Sequence, residues 1–175
     1  MCNQVKLTTA YLPPIEYFRT IASAGRIELE QCEFYQKQSY RNRACIYTPL
    51  GAESLTIPIV KTHNVKMPIR DVRIDYDYAW IQQHERAIIS AYNSSAFFEY
   101  YRDDIFSIME KREPFLFDLN LHLLSTLLEL VGVKADISFT ERYEPAGDND
   151  FREILQPKYK GDALEQMIKK EKTYY

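Results

Sequence analysis

A mixed β-sheet carrying a hairpin, followed by a helical half packed on it, is the architecture to which three stretches of this sequence point. "QVKLTTAYLPPIEYFRTIASAGRIELEQCEF" passes from alternating apolar residues to a helical stripe and back to alternation, the pattern of a strand–helix–strand unit. "RACIYTPLGAESLTIPIV" sets two strand-like runs on either side of a Pro/Gly loop. From Trp80 onward, apolar residues recur at i, i+3 and i+4 for about fifty residues. The fold class is therefore α/β or α+β.

Each element has its own local cause. Residues 4–10 alternate well enough for a first strand, and Pro13 and Pro14 end it because neither can feed a central ladder. Pro14 then opens a helix with Ile15, Phe18, Ile21 and Ala22 on one stripe and Gly25 at its stop. "RIELEQCEF" returns as a strand with Ile27, Leu29 and Gln31 sharing a face. The hairpin follows with a longish "PLGAE" loop, and Pro58 marks an edge or strand end. "IRDVRID" predicts a short strand through Ile69, Val72 and Ile74. Three amphipathic helices come next: "YAWIQQHERAIISAYNSS", "SAFFEYYRDDIFSIMEKR", and "PFLFDLNLHLLSTLLELVG" with Pro114 at its start and Gly132 at its stop. "ADISFT" is a last strand.

The chain has 175 residues, 46% of them hydrophobic and 27% charged, which predicts one globular domain over residues 1–140. Residues 141–175 lose apolar density and read as a charged C-terminal extension, partly packed, in which "ALEQMIKKEK" has the pattern of a surface helix. With 22 basic against 25 acidic residues and a net charge of -3, no global field draws nucleic acid or anionic lipid. No apolar leader or 18-residue apolar run is present, so a cytoplasmic protein without a membrane span is expected. Cys2, Cys32 and Cys45 are odd in number and lack CxxC spacing, which disfavours disulfides and zinc; no metal is expected. Neither GxGxxG nor GxxxxGK[ST] occurs, and no cofactor is readable.

Several residues carry possible chemistry. His84 lies on the apolar stripe of its helix, where a satisfied core histidine is the ordinary outcome and a general base is the functional one. His63 sits in a basic loop and His122 among leucines, without a ligand set. In "YQKQSYRNR", alternation puts Arg41 and Arg43 on one side and Tyr40 and Asn42 on the other, beside Gln36. Guanidinium donors next to amides suit phosphate or carboxylate oxygens, against the alternative of a solvated loop. Tyr11 stands where a strand ends and a helix begins. Asn120, a poor helix former between leucines, must be hydrogen-bonding or reaching a ligand. The acid pairs Asp75/Asp77, Asp103/Asp104 and Asp148/Asp150 read as solvated faces.

The runs "TTAYLPPIEYF", "IELEQCEFYQKQSYRNRACI", "LTIPIVK", "DVRIDYDYAWIQQHERAIISAYNSSAFFEYY" and "FLFDLN" resemble, in order and approximate spacing, the WbqC-like proteins of bacterial surface-polysaccharide gene clusters. The YQKQ-YRNR run and the helix W-x3-H-x-x-A-I-x-x-A-Y are the most specific parts. The residues that match are Tyr11, Pro13, Gln36, Tyr40, Asn42, Arg43, Trp80, His84, Tyr92 and Asn120. Glu85 stands where relatives carry an aromatic, Ala96 replaces a proline, and relatives continue past "KTYY". The resemblance implies a role in O-antigen or capsule synthesis. Two functions are expected from it: a transferase whose small-molecule substrate is a nucleotide-linked or activated sugar or a small acyl donor, or a non-catalytic scaffold for the polysaccharide machinery. In the first, His84 is the base, and Tyr11, Gln36, Tyr40, Arg41, Asn42, Arg43 and Asn120 bind substrate.

Overall fold

Val5, Leu7, Ile27 and Leu29 alternate with polar neighbours and are all buried, and this alternation sets two strands side by side. β1 (Gln4–Thr8) and β2 (Arg26–Glu30) pair in parallel, Val5 opposite Ile27 and Leu7 opposite Leu29. Parallel neighbours need a crossover, which α1 (Ile15–Ala24) supplies. Its N-cap is Pro14, and Gly25 at φ 71° ends it. The helix packs through Tyr17, Ile21 and Ala24, leaving Ile15 exposed, so its buried stripe is rotated from the expected one. The rotation follows from Tyr17, whose hydroxyl donates to the Thr8 carbonyl at 2.7 Å at the end of β1.

The computed structural model describes residues 4–61, 66–145, 147 and 149–155. His63, Cys2 and the helix expected in "ALEQMIKKEK" lie outside the described residues. β5 (Asp136–Phe139) joins the far side of β2, also in parallel, giving the order β1-β2-β5. Beyond the open side of β1, Lys6 bonds both to the Asn149 carbonyl and to the Phe151 amide. Residues 149–151 thus run along the sheet edge.

β3 (Arg43–Thr48) and β4 (Gly51–Thr56) form the hairpin, with only Pro49 and Leu50 between them. The long loop expected there is a two-residue turn, because Gly51 at φ 117° starts β4 at once. The hairpin is a separate antiparallel sheet, so strand directions are mixed across two sheets rather than within one. "IRDVRID" forms a 3-10 turn at Ile69–Asp71 instead of a strand. Pro68 fixes that turn, its carbonyl accepting from the Asp71 amide at 3.0 Å. Only isolated bridges follow, Arg73 to Phe115 and Ile74 to Ile59.

Three helices complete the described fold: α2 (Trp80–Tyr92), α3 (Phe98–Glu110) and α4 (Leu116–Leu130). α4 buries Leu116, Phe117, Leu119, Leu123, Leu124 and Leu128 and stops before Gly132 at φ 71°. No described helix is long and apolar enough to cross a membrane.

Leu29 is fully buried in the central strand of the parallel sheet. Leu29→Ala is expected to cost about 2–5 kcal/mol in urea unfolding with an unchanged m-value. A loss under about 1 kcal/mol would contradict its place at the sheet centre.

Candidate functional site

The carboxyl ends of β2 and β5 meet at a cluster of buried charge. Glu30, at 0% exposure, closes β2. One of its oxygens accepts from the Thr140 hydroxyl and the Cys32 amide, both at 2.8 Å, and the other accepts from Arg152 Nη1 at 2.9 Å. Arg152 also donates to both Asp150 oxygens and to the Glu144 carbonyl, and its guanidinium lies 5.2 Å from the centre of the Tyr143 ring. Asp150 is thus a buried partner, not the solvated acid expected from its spacing, because Arg152 folds back over it.

The segment after β2 makes a second buried pair. Arg41 Nε and Nη2 donate to the two oxygens of Glu33 at 2.8 and 2.6 Å, with both side chains almost fully enclosed. Burial pushes the Glu33 carboxyl above its usual range, and Arg41 opposes that shift. The Ile69 amide donates to the Glu33 carbonyl and the Tyr35 amide to the Met67 carbonyl, so this segment is laced to residues 67–69.

Between the two ion pairs lies a cleft of about 290 Å³ lined by Glu33, Phe34, Tyr35, Gln36, Lys66, Tyr143, Arg152 and Glu153. It sits where ligands commonly bind in parallel α/β sheets, outside the carboxyl ends of the strands. Burial raises the Tyr35 hydroxyl, whereas Arg41 and Arg43 both pull it down. Arg43 Nε is buried with no hydrogen-bond partner among the described residues.

The sequence-predicted residues divide between this cleft and its framework. Gln36 lines the cleft, and Arg43 is not among its lining residues. Arg41 is occupied by Glu33. Asn42 Nδ2 donates to the Ile57 carbonyl at 2.9 Å, and Asn120 Nδ2 to the Arg41 carbonyl at 2.7 Å. Tyr40 offers its carbonyl to the Tyr11 amide at 2.7 Å, while its hydroxyl, raised by burial and then by Glu16, lies on the α1 side.

His84 and Tyr11 meet elsewhere. The Tyr11 hydroxyl bonds His84 Nδ1 at 2.9 Å, and the Thr56 backbone bonds the ring as well. The Thr56 carbonyl takes the ring N–H, so Nδ1 accepts from the tyrosine. Trp80 packs against both rings, at 6.5 Å from Tyr11 and 5.2 Å from His84. Burial lowers the His84 pKa to about 4, against the smaller opposite effect of Thr56, so the ring is neutral at physiological pH. His84 and Tyr11, expected to serve one substrate site with the cleft-lining Gln36, instead form a buried aromatic cluster with Trp80.

Glu30, Glu33, Thr140, Tyr143 and Arg152 were not singled out in the sequence. A glutamate at the end of an apolar strand was the readable clue for Glu30. Arg152 lies within a charge-rich stretch that gives no such clue.

Together, the parallel sheet with α1 as its crossover and the polar cleft at its carboxyl edge define an α/β protein with a candidate site outside the strand ends. The chain belongs to the WbqC-like protein family, which matches residues 9–169. It is similar to "Uncharacterized protein Rv1507c" of Mycobacterium tuberculosis (strain ATCC 25618 / H37Rv), with 28% identity over 137 residues. That match covers 78% of this chain and 59% of the relative, less than two thirds of the relative's length. No solved structure matches.

Two outcomes follow from the buried groups. Arg41→Met leaves Glu33 buried without its cation and is expected to cost about 3–5 kcal/mol, whereas Arg41→Met with Glu33→Leu should recover most of that loss. Equal losses for single and double variants in urea unfolding would contradict the pairing. For His84, the folded pKa of about 4 lies below the unfolded value of 6.5. Its contribution is therefore complete above pH 6.5 and is lost as pH falls toward 4, about 3 kcal/mol in all. Wild type should lose about 2 kcal/mol more than His84→Asn between pH 7 and pH 5. Parallel pH profiles for the two proteins would show that the ring is not held neutral.

Proposed function

We propose that the chain binds an activated, phosphate-linked sugar in the carboxyl-edge cleft and acts in the cytoplasm as a transferase of bacterial surface-polysaccharide synthesis. The observation that carries this reading is the lining itself: Phe34, Tyr35 and Tyr143 rings beside the Gln36 amide, with Lys66 at the wall and buried ion pairs behind. Aromatic faces with polar tips pack on sugar rings, and an amide offers both donor and acceptor to hydroxyls. Lys66 is the cleft-lining group for phosphate. Family membership supports the polysaccharide setting through the resemblance described above.

In this reading His84 is a positioning residue that fixes Tyr11 at the exit of β1. Glu33 is the cleft-lining carboxylate whose burial raises its proton affinity, and it is the group proposed to take a proton from an acceptor hydroxyl. A scaffold role has one observation in its favour: Phe97 and Tyr100 are 66% and 77% exposed, with ring centres 6.2 Å apart at the start of α3.

The test is a thermal-shift panel of nucleotide sugars with the full chain. A true ligand at 100 times its dissociation constant stabilises by about 2.7 kcal/mol, and Gln36→Ala and Lys66→Ala should reduce that shift. Silence across the panel, with polysaccharide assembly in cells lost on Tyr100→Ala instead, would favour the scaffold.

A further inference from the structure

A second and smaller cavity, of about 200 Å³, opens between the segment leading into α2 and the end of α3, away from the carboxyl-edge cleft. Its walls are Tyr76, Tyr78 and Ile81, and its charged groups are Glu85, Glu110 and Arg112. Tyr76 is held in place by its hydroxyl, which donates to the Glu113 carbonyl at 2.7 Å, and by packing on the Trp80 ring at 5.9 Å.

The charges around this cavity are not satisfied by one another. Among the described residues Glu85 Oε1 is buried and has no hydrogen-bond partner, an arrangement that ordinarily costs about 1–3 kcal/mol or more. Burial, and then Glu110, raise the Glu85 carboxyl above its usual range. Arg112 lies at the same cavity with its guanidinium 5.8 Å from the centre of the Tyr76 ring. Among the described residues no ion pair joins it to either glutamate, although all three line one space. Its backbone is held at φ 54°, in the left-handed region, which a long side chain seldom adopts.

We propose that this cavity binds a small α-amino acid, with the ammonium group between Glu85 and Glu110, the carboxylate on Arg112, and the side chain against the Tyr76 and Tyr78 rings. Each competing ligand class leaves a group unused. A simple anion meets two carboxylates, and a simple amine leaves the guanidinium without a partner. A metal ion finds no set of three ligating side chains among the described residues. At about 200 Å³, smaller than the carboxyl-edge cleft, the cavity suits a ligand of a few heavy atoms. A zwitterion alone matches both signs of charge, and an ammonium near aromatic faces gains a further cation–π attraction. This inference does not rest on the sugar reading, because none of its residues lines the other cleft.

Isothermal titration of the full chain tests it, with glycine, L-alanine and L-serine as zwitterions and ethylammonium and acetate as their halves. At least one zwitterion should bind, with each half weaker by roughly tenfold or more. Glu85→Gln and Glu110→Gln, the latter at an exposed position, should each weaken that zwitterion by a similar factor. Arg112→Asn, a residue that tolerates positive φ, should bring it down to the level of ethylammonium. Three results overturn the proposal: no zwitterion binds, ethylammonium binds as tightly as L-alanine, or Glu85→Gln and Arg112→Asn leave affinity unchanged. Nucleotide-sugar shifts measured on the same variants should stay intact, which keeps the two sites distinguishable.

Discussion

The bidentate bond between Arg41 and Glu33 is the constraint on which the site depends. It joins the segment after β2 to the residue two positions before β3, with 1% and 5% of the two side chains exposed. Three backbone ties fan out from the same short run. The Arg41 carbonyl receives Asn120 from α4, the Tyr40 carbonyl receives the Tyr11 amide beyond β1, and the Asn42 side chain reaches the Ile57 carbonyl beyond β4. Both sheets and the most apolar helix are thereby pinned to ten residues of chain, from Glu33 to Asn42. A buried ion pair contributes little net stability after desolvation, and the raised Glu33 carboxyl is consistent with that. What it supplies is position: a pair of charges that must meet admits one arrangement of the loop between them.

That fixed loop is why a polar cleft can exist beside an apolar core. Glu30 and Arg152 hold the floor on one side, Glu33 and Arg41 on the other, and each buried charge has an opposite charge beside it. The intervening surface can then present aromatic rings and an amide without collapsing. The Tyr11–His84–Trp80 cluster does the corresponding work inside the fold, where a neutral imidazole bonds a tyrosine and a carbonyl and so spans β1, β4 and α2.

Periodicity made most of the framework legible. The alternations in residues 4–8 and 26–30, the Pro14 and Gly25 boundaries of α1, and the apolar stripes of α2 and α4 were all readable, because local pattern and burial agree there. The 3-10 turn at Ile69–Asp71 was not, since alternation over "IRDVRID" mimics a strand while Pro68 and contacts to distant residues decide the backbone. The same limit applied to the site. "YQKQSYRNR" was recognisable as polar residues kept near strands, and Asn120 as an amide needing a partner. Which of them faces a cleft depends on Glu33 taking Arg41, and on Arg152 arriving from far along the chain, and neither pairing leaves a trace in spacing.

The parallel pairing of β2 with β5 also constrains how the chain can assemble. Thr140 and Glu30, bonded at 2.8 Å, are 110 positions apart in sequence. Closing so long a loop carries an entropic cost before any contact repays it, so sheets of this kind fold slowly. During synthesis β1, α1 and β2 leave the ribosome long before β5. Until residue 136 emerges, the far side of β2 is an unpaired strand edge with Ile27 and Leu29 on it. The nascent chain is most prone to mispairing in that interval, and the arrival of the last strand, rather than any helix, ends it.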